Sequence, residues 1–128
     1  MQISEFQMDR QSLEQFAQEA ASLLQNGNFA VLAERFGYAL AYGREPALAI
    51  EADLSNRLLE MGFADRQAGY IDIKYFNVEA TKSTGLAAAI DCLTFLAGDS
   101  KVQFSLVVTA KGVDRYITLE SVDRLPSQ

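Results

Sequence analysis

The chain has 128 residues, 49% hydrophobic and 22% charged, the proportions of a single globular domain, residues 1–128, able to bury its own core. Its 17 acidic and 11 basic residues leave a net charge of −6 without clustered lysine or arginine, which excludes a nucleic-acid binder that works by displacing counterions. With no histidine and one cysteine, Cys92, the composition excludes His-dependent triads, His-ligated metals and an internal disulfide, leaving carboxylates and tyrosines as the proton-transfer groups.

Residues 4–25 read as the first helix. Leu13, Phe16, Ala17, Ala20, Leu23 and Leu24 recur at helical spacing, with Glu14, Gln15, Gln18 and Glu19 filling the other side. Ser4 with Gln7, or Asp9, supplies a cap, and Asn26-Gly27 ends the run because both residues tolerate the left-handed conformation of a helix terminus. Asn28 then caps a second, short helix with a stripe of Phe29, Leu32, Ala33 and Phe36, and Gly37 stops it. Residues 37–43 set Tyr38, Leu40 and Tyr42 on one side and alanines on the other, which predicts a short strand; a helical continuation is the competing reading. Pro46 opens the third helix, whose stripe is Ala47, Ile50, Leu54, Leu58 and Met61 and whose stop is Gly62. Asp53 and Arg57 lie one turn apart on it and read as an ion pair on a solvated face.

Beyond residue 65 the apolar period changes to two. Strands are predicted over 70–79, 86–97, 102–110 and 115–122, joined by turns at 82–85, 98–100 and 111–114, so consecutive strands are antiparallel neighbours. In the first of these the apolar face switches between Tyr75 and Phe76, which predicts a bulge or bend. The tail from Leu125 reads as loose, and the fold class is α+β.

The run Asn26-Gly27-Asn28-Phe29, followed by residues 30–36, resembles the acidic/Asn–aromatic–x–x–leucine second helix of the nuclear-transport-factor-2-like superfamily. Gly43-Arg44-Glu45 ahead of an Ala/Ile helix is similar to that group's entry to its third helix. The resemblance implies three N-terminal helices packed on a strongly curved antiparallel sheet, a four-strand meander plus the short early strand, with a cone-shaped pocket. Ketosteroid isomerases, dehydratases, polyketide cyclases and transport adaptors share that layout, so it selects no function. The histidine used by several of the dehydratases is missing here.

Asp91 is the candidate catalytic carboxylate. It shares a strand face with Ala87, Ala89, Leu93 and Phe95, and a carboxyl desolvated in an apolar row would act as acid or base, as the interior aspartate of isomerases with this fold does. The competing reading leaves the row facing outward and Asp91 wet. Tyr38, Tyr42, Tyr75 and Phe95 are candidate ligand-binding residues, the tyrosines as donors to a carbonyl; aromatics at strand spacing also serve as plain core. Glu79 shares the ambiguity of Asp91, and Cys92, pointing to the opposite face from Asp91, reads as a packing residue. No metal and no cofactor are expected.

The second long strand is apolar on both faces, while helices from the N-terminal half cover one side of a sheet, so the outer face is expected to meet a second copy in a homodimer. The leading expectation is a soluble, cytoplasmic domain binding a small apolar ligand, since no stretch reads as a signal peptide or a membrane span. An isomerase or cyclase using Asp91 with a tyrosine is the alternative, as is a module whose acidic surface docks a basic protein.

Overall fold

The computed structural model describes residues 1–56, 67, 69–79, 83–96 and 100–125. Among these, three helices pack against one five-stranded antiparallel sheet. In chain order the elements are β1 (Gln2–Ile3), α1 (Arg10–Gln25), α2 (Phe29–Phe36), α3 (Pro46–Asn56), β2 (Ile71–Tyr75), β3 (Leu86–Phe95), β4 (Lys101–Lys111) and β5 (Asp114–Arg124). The strand order is β1-β5-β4-β3-β2, so the expected four-strand meander is present, with β1 added at its far edge.

The two expected caps serve different elements. Ser4 and Gln7 form a reciprocal capping box around a 3₁₀ turn, Glu5–Gln7, while Asp9 caps α1 by accepting the Ser12 amide at 3.1 Å. The first helix therefore starts at Arg10, later than the 4–25 span expected. Hydrogen bonds from Ser12 hold the Asp9 carboxyl below its ordinary value of 3.8. A folded value depressed below the unfolded one stabilises the helix above pH 3.8, and that contribution is lost as pH falls through the folded value. Circular dichroism is accordingly expected to show a loss of helix stability in that acid window that Asp9→Asn, which keeps the capping oxygen, flattens.

The early strand expected at 37–43 is replaced by a 3₁₀ turn, Ala39–Ala41, with a single parallel bridge from Tyr38 to Leu119. Burial falls on Tyr38 and Ala41, a spacing of three, while Tyr42 turns left-handed at φ 49° and stands exposed. A left-handed residue cannot continue an extended run, and the alternation that looked like a strand is broken there. In α3 the buried stripe is Ala49, Ile50, Asp53 and Leu54, so Asp53 is not on the solvated face expected for it. Arg57, Leu58, Met61 and Gly62 lie outside the described residues.

β2 ends at Tyr75, where the apolar face was expected to switch; the bulge lies across from it in β3, between Leu86 and Ala88. A second irregularity sits between Ser105 and Leu106 of β4, opposite Leu119 and Ser121 of β5. The expected turn at 98–100 falls largely outside the described residues. Leu125, expected in a loose tail, is buried, and its amide donates to the Lys101 carbonyl at 2.9 Å.

One sheet face carries Ile90 and Cys92 of β3, Phe104 and Leu106 of β4, and Ile117 and Leu119 of β5, all buried in one core with Leu13, Leu24, Leu32, Phe36 and Ile50 of the helices. Burial of apolar area at roughly 25 cal/mol per Å² is what holds the layers together. The outer face is mixed. In register across it run Ala89, Val107 and Thr118, and next to that row Asp72, Asp91, Ser105 and Ser121. Gly85, leading into β3, adopts φ +70°, and a Cβ there would stand 2.9 Å from the Ala110 carbonyl oxygen. Gly85→Ala is expected to cost about 2 kcal/mol in urea unfolding, from left-handed strain plus the displaced hairpin. No helix among the described residues is long and apolar enough to cross a membrane.

Candidate functional site

α1 crosses the inner face over β2 and β3 and leaves a groove of about 390 Å³ along its length. The helix period that buries Leu13, Ala17, Ala20 and Leu24 places Gln18, Ser22 and Gln25 together along the neighbouring flank. Apolar lining comes from Ala17 and Ala21 of the helix and from Ile71, Cys92 and Phe104 of the sheet. Polar lining comes from Gln18, Ser22, Gln25 and Thr94. Gln25 Nε2 donates to Thr94 Oγ1 at 2.7 Å, tying the helix end to the strand and satisfying a hydroxyl that is buried. Among the described residues, none that lines this groove is charged.

Cys92 forms part of the floor and is 2% exposed. Burial, and after it the negative charge of Asp91, push its thiol well above the ordinary value, so the thiolate needed of a nucleophile is suppressed at neutral pH. Its place is that of a small packing residue, as expected of a lone cysteine in a chain without histidine.

Asp91 lies on the outer face, the side turned away from the helices and the groove. Ser105 Oγ donates to its Oδ1 at 2.6 Å, and Asp72 stands directly opposite it on β2. The tyrosines are elsewhere. Tyr75 shares the register position of the inward-facing Ala88, and its hydroxyl donates to the Met8 carbonyl at 2.8 Å. Tyr38 joins the opposite side of the sheet at β5, and β5 and β2 are ~14 Å apart at the usual strand spacing. Tyr42 is 81% exposed in the loop before α3, and Phe95 is 38% exposed at the end of the Asp91 row. Asp91 and Phe95 thus share one strand face while Tyr38, Tyr42 and Tyr75 lie elsewhere, and none of the five lines the α1 groove.

The structure adds a polar cluster that the sequence reading assigned otherwise. Tyr38 donates its hydroxyl to Asp53 Oδ2 at 2.5 Å, and Arg44 donates Nη1 to Asp53 Oδ1 at 3.0 Å and Nη2 to Oδ2 at 3.2 Å. Arg44 also donates from Nε to the Ala41 carbonyl and from Nη2 to the Leu40 carbonyl. The hydrogen bond and charge of Asp53 raise the Arg44 pKa further, which keeps the guanidinium charged at every working pH. One buried carboxylate is thereby satisfied while the 3₁₀ turn, left-handed Tyr42 included, is fastened to α3. A sequence signal existed: Asp53 stands three residues after Ile50 and four after Ala49, on the buried stripe itself.

Among the described residues no three His, Cys, Asp or Glu side chains come together in a group able to hold a metal ion. No family model, no curated protein and no solved structure matches this chain.

Proposed function

We propose that this chain is a small-molecule-binding domain of the nuclear-transport-factor-2-like kind, holding a neutral, largely apolar ligand between α1 and the sheet. The observation that carries this reading is the groove of about 390 Å³, uncharged among the described residues, with an apolar floor and an amide and hydroxyl rim. Its size is that of a ligand pocket, ~300–1,000 Å³. A charged ligand entering it would lose water without meeting a counter-charge among the described residues, whereas a neutral one gains burial and orients on Gln18, Ser22 and Gln25. Helices laid over one face of an antiparallel sheet are also the arrangement that encloses the cone-shaped pocket of that superfamily.

The row of Ala89, Val107 and Thr118 on the outer face is the surface on which two copies would meet, small enough for two sheets to approach closely. The lone thiol Cys92, buried and unpaired, suits a cytoplasmic setting. The separation of Asp91 from all three tyrosines counts against the isomerase or cyclase reading, because one substrate would have to reach both sheet faces.

Titration with N-phenyl-1-naphthylamine, a neutral fluorophore, tests the reading. Saturable binding at one probe per chain is expected, insensitive to salt and removed by Ser22→Trp, a change at an exposed groove position that leaves the circular dichroism unchanged. An absence of saturable binding, or undiminished binding by Ser22→Trp, would sink it. Sedimentation of the same sample is expected at twice the chain mass, and Val107→Arg is expected to return it to a monomer.

A further inference from the structure

A second cleft, of about 360 Å³, opens on the helix side at the end of β5, away from α1. Phe29, Leu54 and Leu96 give it an apolar base, and Glu51 and Arg124 bring charges of opposite sign to its walls. The placement follows from the fold. Arg124 is in register with Val102, whose side chain is buried in the core, so the guanidinium at the end of β5 is turned to the helix side. Glu51 reaches the same cleft from α3, one turn before Ser55, whose hydroxyl donates to the Glu51 carbonyl.

Glu51 and Arg124 line one cleft without pairing with each other, and among the described residues neither makes an ion pair elsewhere. Of the other described arginines, Arg10 pairs with Glu14, Arg35 with Glu19 and Arg44 with Asp53, while Arg115 donates to the Gly112 and Asp114 carbonyls. A guanidinium is a rigid fork of donors that matches a carboxylate, and a glutamate is an acceptor that matches an ammonium. A ligand bearing one charge would satisfy one wall and be repelled by the other. A ligand bearing both, with an apolar remainder, satisfies the two walls and the base together.

We propose that this cleft binds an apolar α-amino acid. The carboxylate lies on Arg124, the ammonium on Glu51, and the side chain against Phe29, Leu54 and Leu96. The site is separate from the α1 groove and does not depend on the reading given for it.

Isothermal titration of the full chain with L-phenylalanine, L-phenylalaninamide and hydrocinnamate tests this. The amide lacks the carboxylate and hydrocinnamate lacks the ammonium. Phenylalanine is expected to bind saturably, and each analogue about tenfold more weakly or worse, the loss of one charge-assisted contact. Arg124→Ala, at an exposed position, is expected to erase the preference for phenylalanine over its amide, and Glu51→Gln, also exposed, the preference over hydrocinnamate. Ser22→Trp in the first groove is expected to change nothing. The proposal is overturned if phenylalanine does not bind, if the amide binds equally well, if Arg124→Ala keeps full affinity, or if Ser22→Trp abolishes binding.

Discussion

Phe104→Ala is expected to lower the unfolding free energy by about 3–5 kcal/mol, a large share of the about 5–15 kcal/mol by which a typical domain is stable. Phe104 is fully buried in the middle of the inner face, with Cys92 and Val122 in register on either side. Its ring fills the space where the core under the helices meets the floor of the α1 groove. Truncation removes the transfer free energy of the ring and leaves a cavity that neighbouring strands, locked in their ladders, close poorly. Phe104→Leu keeps most of the volume and is expected to cost under ~2 kcal/mol. Urea denaturation of the three proteins measures both differences. Equal midpoints for wild type and Phe104→Ala would mean that the ring is not packed as described.

Asp53→Ala is expected to cost about 2–3 kcal/mol, because it removes a charged acceptor from the Tyr38 hydroxyl, in a residue only 7% exposed, and unfastens the turn held by Arg44. Tyr38→Phe, which removes one hydrogen bond to a charged group that Arg44 still partners, is expected to cost about 1.5 kcal/mol. The two changes act on one network, so they are not additive: in the Asp53→Ala background, Tyr38→Phe is expected to cost less than it does in the wild type. A double-mutant cycle by urea denaturation reads this coupling. Strict additivity would place Tyr38 and Asp53 in separate interactions and contradict the hydrogen bond between them.

The parts of the fold legible from sequence are those whose signals are local. α2 is the clearest: Asn28 accepts the Val31 amide, the stripe ending in Phe36 is buried at Leu32 and Phe36, and Gly37 closes the helix, all within ten residues. The meander was legible because a period of two is clean in β4, β3 is a long apolar run, and the turn at Gly112 is short. β1 was not, since two residues have no period and its partners, Arg115 and Tyr116, are more than a hundred residues away. The early strand failed for the same reason. Tyr38 is placed by Asp53 and Leu119, neither of them local, and the turn that follows is set by Arg44.

The candidate site was less legible than the fold. Period two says that Asp91 and Cys92 face opposite ways but not which face the helices cover, and β3 is apolar enough on both sides for either answer. The answer lies in the helix layer, whose packing over Ile90 and Cys92 puts Asp91 with Ser105 on the outside. The groove itself joins Gln18 and Ser22 to Ile71, Cys92 and Phe104, residues from four elements that no single motif contains. Asp53 was the missed opportunity, since an acid on an apolar stripe requires a partner, and Arg44 was nine residues away.

A ¹H–¹⁵N correlation titration with N-phenyl-1-naphthylamine tests the ligand-binding claim most directly, because it reports location as well as affinity. Binding in the α1 groove predicts ring-current shifts at the amides of Ala17, Ala21, Gln25, Ile71, Cys92 and Phe104, with Asp91, Ser105 and Tyr42 unmoved. Shifts confined to the outer face around Asp91 and Ser105, with the groove amides unchanged, would contradict it.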